Sequence, residues 1–220
     1  MEQLEQTMQV QSLPRIGEKA PDFTAKTTHG ELSLSAYKGK WVVLFSHPAD
    51  FTPVCTSEFV AFQEVYDRLL GMNTELIGLS IDSVSSHIAW VRNIEENFNT
   101  TIDFPIIADL DQQVATKYGM IMPESDGTET SRAVFVIDDK QTIRALIYYP
   151  LSTGRNMEEI VRLVKALRTT DDHEVSTPAN WEPGDKVIVK PPQTKEEANE
   201  RMNNSEYECI DWYFCKKELK

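Results

Sequence analysis

The apolar run Trp41-Val42-Val43-Leu44-Phe45 leads into a turn flanked by Pro48 and Pro53, and then into apolar residues at helical spacing: Phe59, Phe62, Val65, Tyr66 and Leu69. A short, wholly apolar stretch bounded by turn residues reads as a buried strand, and the 3.6-residue period after it reads as a helix. Thr52 suits the position before the helix. Pro53 suits its first residue, where the missing N–H has no intrahelical partner to lose. Cys55 is then the third helical residue. Unpaired N–H groups and the positive end of the helix dipole favour a thiolate there, and the thiolate is the nucleophilic form of cysteine. A small buried apolar residue is the plainer alternative. The two prolines and the polar Thr52 and Thr56 argue against it.

At 220 residues the chain can hold one α/β domain and an appendage. Its formal charge of −13, with no local basic cluster, opposes binding to nucleic acid or anionic lipid. Met1 to Glu5 lack a basic, then apolar, leader pattern, and no apolar run approaches the ~20 residues of a membrane span, so a cytoplasmic location is expected. The three cysteines, Cys55, Cys209 and Cys215, are too few for a structural disulfide framework, which leaves redox-active or inert thiols. No C-x-x-C occurs, and His29, His87 and His173 lie in unrelated segments, so neither a metal nor a cofactor is expected.

Along the chain, residues 1–14 are a loose leader in which Met8, Val10 and Leu13 suit an edge strand. Ala20–Ala25 and Thr28–Leu34 predict a hairpin, and Ser35–Lys40 a turn closing at Gly39. The helix from Pro53 to about Leu70 ends at Gly71 and is followed by a strand over Thr74–Ile81, giving a β-α-β unit. A helix over Ser85–Glu96 should turn Ile88, Val91 and Trp90 inward. A short strand at Phe104–Ala108 and a short helix over Gln112–Tyr118 precede the turn-rich segment Met122–Gly127. Arg132–Ile137 and Ile143–Tyr149 predict a second hairpin, and Met157–Arg168 an amphipathic helix capped by Asn156. The expected division is a domain over 1–168 and a proline-rich arm over 169–220 with one short strand at Val187–Val189. The fold class is α/β, a mixed central sheet flanked by helices.

Pro48-x-x-x-Thr52-x-x-Cys55 resembles the active-site signature of the peroxiredoxins. Phe45 to Thr56 resembles its form in the subfamily that includes one-cysteine enzymes and their archaeal and bacterial relatives, and the likeness runs from Ile16 to the terminal cysteines. It implies a thioredoxin-like fold and a thiol-dependent peroxidase, without haem or metal, acting on hydrogen peroxide and organic hydroperoxides. Such chemistry needs a thiolate to attack one peroxide oxygen while the other leaves with negative charge. Thr52 can accept from a backbone N–H and donate to the peroxide or to sulfur, or act as a cap alone. Pro48 would shield the turn, or simply stiffen it. Arg132, opening its strand, can aim its fork inward or lie in solvent. Ser131–Asp138 resembles the family segment that supplies an active-site arginine, and Thr153-Gly154-Arg155-Asn156 resembles the segment of a second. His47 can tune the thiolate, bond a carboxylate, or be structural. Glu58 can pair with Arg132 or His47, or only complement the helix dipole.

Attack on peroxide leaves a sulfenic acid that a second thiol must meet. Cys209 and Cys215 flank an aromatic segment and can reach a partner site, or pack as inert thiols beneath Trp212 and Phe214. By likeness to archaeal-type members, Cys215 is the resolving residue and Cys209 a secondary partner. The same likeness implies reduction by thioredoxin or a similar dithiol. It also implies a homodimer embraced by the arm, and a decameric ring as a further assembly. A lipase-like activity of some relatives needs G-x-S-x-G; Gly78-Leu79-Ser80-Ile81-Asp82 lacks the last glycine, which sets that activity aside. A redox-switched holdase or peroxide sensor is the non-enzymatic alternative.

Overall fold

Strand β3 (Trp41–Ser46) is buried at all six positions, as a strand covered on both faces must be. In the computed structural model, which describes residues 13–121 and 127–219, it lies inside a seven-stranded sheet. The expected edge strand at Met8 and Val10 and the turn-rich residues 122–126 lie outside the described residues. β3 pairs parallel with β4 (Thr74–Ser80) and antiparallel with β6 (Arg132–Ile137). The order is β2-β1-β5-β4-β3-β6-β7, with β1 Thr24–Thr27, β2 Gly30–Ser33, β5 Ile106–Ala108 and β7 Ile143–Tyr149. The two expected hairpins, β1–β2 and β6–β7, are present. Gly30, at φ 96°, supplies the left-handed residue that turns the first of them.

Alternation along β3 divides the core. Val42 and Leu44 join Phe135, Tyr118, Ile77 and Leu79 in one buried cluster. Phe45 points the other way, stacking on Phe62 of α1 (Pro53–Leu70) at 4.2 Å and meeting Phe59 and Phe104 edge-on. Aromatic contacts of this kind fix where α1 starts relative to the end of β3. Gly71 follows α1 as expected but stays right-handed; the left-handed residue is Asn73, at φ 49°.

The inward face of α2 (Val84–Phe98) differs from expectation. His87, Trp90 and Ile94 are buried, whereas Ile88 is 44% exposed. The burial of His87 is compatible with its polarity because both ring nitrogens have oxygen partners, so an imidazole takes the place an isoleucine was expected to fill. α3 (Gln113–Lys117) is held by Asp109, whose carboxylate accepts from the N–H groups of Val114 and Ala115.

The chain divides into two compact units, Met1–Arg155 and Asn156–Lys220. The expected boundary after residue 168 lies within helix α4. Helix α4 (Met157–His173) is capped by the Asn156 side chain, which accepts from Glu159 N–H, and it continues past Arg168. The second unit is more than a strap. Ala166, Val175, Trp181 and Val187 form a small buried cluster of their own. It also holds α5 (Lys195–Met202) and a three-stranded sheet of β8 (Val187–Ile188), β9 (Glu208–Asp211) and β10 (Phe214–Lys217).

Candidate active site

Beyond Ser46 the chain leaves the sheet through a turn pinned on several sides. Ser46 Oγ donates to the Ser131 carbonyl and accepts from Ala133 N–H, tying the end of β3 to β6. His47 N–H donates to the Leu79 carbonyl, Thr130 Oγ1 donates to the His47 carbonyl, and Asp50 N–H donates to Asp82. Phe51 adopts φ 57°, a left-handed conformation uncommon for a bulky residue. Pro48 is buried in this turn.

Thr52 stands before α1 in an extended conformation, yet its side chain does not cap the helix. Its hydroxyl donates to the Ala49 carbonyl at 3.0 Å, folding the turn on itself. The Thr52 carbonyl accepts from both the N–H and the Oγ1 of Thr56. Cys55 follows as the third helical residue, a free cysteine whose surface is wholly buried.

Arg132 Nη1 lies 3.5 Å from Cys55 Sγ and donates to Glu58 Oε2 at 2.7 Å, while its Nε and Nη2 donate to the Leu151 carbonyl. Glu58 also accepts from N, Nε and Nη2 of Arg155 at 2.8, 2.9 and 2.6 Å. Arg155 Nη1 donates to the carbonyls of Ser46 and Ala133, and its guanidinium lies against the rings of Phe45 and Phe62. Burial alone would raise the Glu58 pKa, but Arg155 and Arg132 hold it below the ordinary glutamate value. Two guanidinium groups against one carboxylate leave a positive charge in excess beside the sulfur.

His47 is not paired with Glu58. Its Nε2 is 3.0 Å from Asp50 Oδ1, and the same carboxylate meets His87 Nδ1 at 2.9 Å. The potential ligand atoms of His47, Asp50 and His87 lie within 4.8 Å of one another, so the histidines are not all scattered as expected. Hydrogen bonds account for these distances without a cation. Trp90 covers the group, with its ring 5.1 Å from His47 and its Nε1 donating to Thr56 Oγ1.

Cys55, Arg132, Arg155 and Glu58, the residues singled out from the sequence, lie together in the fold. Sequence reasoning passed over Asp50, although it stands in the same motif, and it dismissed His87. That residue is 37 positions from Asp50 and carries no local signal. In the second unit, Cys209 and Cys215 face one another across β9 and β10 and are joined to each other by a disulfide, a pairing the sequence did not single out. Their Cα atoms are 4.0 Å apart, close enough for the two sulfurs to meet.

A mixed sheet flanked by helices, with a buried free cysteine at the start of the helix after a central strand, defines a thioredoxin-like α/β fold. The comparisons narrow this class. Residues 16–146 match the model of the AhpC/TSA family, and residues 166–205 match the C-terminal domain of 1-Cys peroxiredoxin. The chain is 56% identical to a peroxiredoxin of Aquifex aeolicus, over 96% of this chain and 100% of that one. It is likewise 56% identical to a peroxiredoxin of Methanocaldococcus jannaschii, over 94% of this chain and 100% of that one. Its structure resembles that of a yeast mitochondrial 1-Cys peroxiredoxin with a TM-score of 0.84 at 39% identity, covering 94% of this chain and 100% of that one. The chain belongs to the AhpC/TSA family, the peroxiredoxins, whose activity is that of thiol peroxidases. Among the described residues no helix is long and apolar enough to cross a membrane.

Proposed function

We propose that Cys55 is the peroxidatic residue of a thiol-dependent peroxidase acting on hydrogen peroxide and organic hydroperoxides. The observation that carries this reading is Arg132 Nη1, which reaches both Cys55 Sγ and Glu58. The Cys55 thiolate attacks one oxygen of the peroxide, the O–O bond breaks, and the other oxygen leaves with the bonding pair and takes a proton as water or alcohol. The positive charge in excess at Arg132 and Arg155 stabilises the charge that builds on that oxygen. Thr52 orients the peroxide through its hydroxyl, Pro48 keeps water from the turn, and His47, next to Pro48 in the chain, serves as a proton acceptor.

Cys55 is then a sulfenic acid. The thiolate of Cys215 displaces hydroxide from it, which leaves as water, and a Cys55–Cys215 disulfide forms. Cys209 next attacks the Cys215 sulfur, releasing Cys55 as thiolate and leaving Cys209–Cys215 oxidised. The bond joining those two residues supports this exchange. A thioredoxin-type dithiol would return the pair to thiols, in a cytoplasmic homodimer embraced by residues 169–220 and capable of building a ring.

Peroxide consumption with thioredoxin, thioredoxin reductase and NADPH tests this scheme. Cys55→Ser should abolish turnover. Cys215→Ser should stall it after one equivalent of peroxide, and Cys209→Ser should trap the Cys55–Cys215 disulfide. Full activity in Cys55→Ser would sink the assignment. A change of assembly size on adding peroxide, without sustained turnover, would point instead to a redox-switched holdase or sensor.

A further inference from the structure

A buried polar group lies beneath the same turn, and the peroxidase reading uses one member of it. His47 and Asp50 come from the turn after β3, His87 from α2, and all three are buried. Asp50 Oδ1 is 3.0 Å from His47 Nε2, and both carboxylate oxygens are within 3.0 Å of His87 Nδ1. The far nitrogen of His87, Nε2, meets the Ile107 carbonyl of β5 at 3.1 Å. The far nitrogen of His47, Nδ1, is buried with no hydrogen-bond partner among the described residues.

Partner chemistry decides where the hydrogens sit. A carbonyl oxygen only accepts, so His87 Nε2 carries a hydrogen. Burial would push the Asp50 carboxyl up, but the hydrogen bonds from His47 and His87 hold it well below the usual carboxylate range, so it too only accepts. His87 Nδ1 and His47 Nε2 must then both donate. His87 thus donates through both ring nitrogens, to the Ile107 carbonyl and to Asp50. Burial opposes a second proton on His47, so its Nδ1 keeps a bare lone pair. A buried acceptor without a partner is costly, and a second-layer carboxylate is the usual device for choosing which imidazole nitrogen stays bare.

The geometry points to His87 and Asp50 as positioning residues: anchored on the Ile107 carbonyl, they fix His47 as its Nε2–H tautomer and hold its bare Nδ1 ready as the acceptor of the turn that carries Cys55. Neither residue need touch the peroxide. This deepens the peroxidase reading for His47, and only the kinetic part of its test rests on that reading.

The test uses the full chain labelled with 15N-histidine and sedimented for solid-state NMR, where protonated and bare ring nitrogens are separately resolved. The four histidines, His29, His47, His87 and His173, are assigned by single substitutions. Wild type should show His47 with hydrogen on Nε2 and none on Nδ1. Asp50→Asn, whose amide can donate to Nε2, should move the hydrogen to Nδ1 and slow the reaction with hydrogen peroxide by at least about tenfold. His87→Leu should mix the two tautomers and slow the reaction. His87→Asn, which retains a nitrogen donor in place of Nδ1, should restore both. The wild-type spectrum decides even if every variant misfolds: a hydrogen on His47 Nδ1 overturns the proposal. Slower reaction with an unchanged tautomer also overturns it, since the role would then be merely structural. So does a stoichiometric metal in the purified protein that Asp50→Asn loses. Undiminished turnover in Cys55→Ser would remove the peroxidase reading and leave the spectrum untouched.

Discussion

Glu58 accepts from one nitrogen of Arg132 and three of Arg155, and all three side chains are buried. Glu58→Gln leaves two guanidinium groups without a counter-charge, and breaking a buried pair in this way costs about 3–5 kcal/mol. Urea denaturation at neutral pH checks it. The pH dependence has a definite sign. Because the folded-state pKa of Glu58 is depressed, its contribution is present above the ordinary glutamate value of about 4.3 and is lost as pH falls through the lower folded value. Stability measured from about pH 6 down to pH 3 should therefore fall less steeply in Glu58→Gln than in wild type. Arg132→Lys keeps the charge but loses the fork that serves Cys55, Glu58 and the Leu151 carbonyl together. Its second-order rate constant with peroxide should drop by roughly a hundredfold in stopped-flow measurements.

Helix α2 shows what local patterns can and cannot tell. Its start was legible, but its buried face was not, because an apolar count favours Ile88 over His87, and only tertiary partners make the histidine the better core residue. Trp90→Ala, which removes the ring packed 4.5 Å from Phe59, should cost about 3–5 kcal/mol, whereas Ile88→Ser should stay within about 0.5 kcal/mol. Thermal and urea denaturation of the two variants would distinguish these faces; equal losses would contradict the observed orientation. The start of α1 was legible because Thr52, Pro53 and the apolar period all lie within one short stretch. The gathering of His47 and Asp50 with His87 depends instead on β3, β4 and β5 lying side by side in the sheet, which no short stretch encodes. Helix α5 is a different failure. Thr194 and Glu197 form a reciprocal cap whose four-residue pattern was present in the sequence and was overlooked amid the neighbouring prolines.

At the scale of the whole chain, the two units differ in what holds them. The first rests on a seven-stranded sheet covered by large apolar side chains, the second on a small cluster around Trp181 and a cross-strand disulfide closing a short loop. Reducing Cys209–Cys215 should lower the stability of the second unit by about 2 kcal/mol. Hydrogen exchange should then quicken in residues 156–219 and stay unchanged in the strands of the first unit. The burial of Cys55 has a kinetic meaning as well. A sulfur with no exposed surface can admit a small oxidant, but it cannot meet another protein's thiol until the first turn of α1 opens, a turn latched by the two bonds from Thr56 to the Thr52 carbonyl. On the proposed cycle that opening would act as a timer: the longer the latch held after the first oxidation, the longer a Cys55 sulfenic acid would stay open to a second peroxide, so the strength of two hydrogen bonds would help set the peroxide level at which cycling stops.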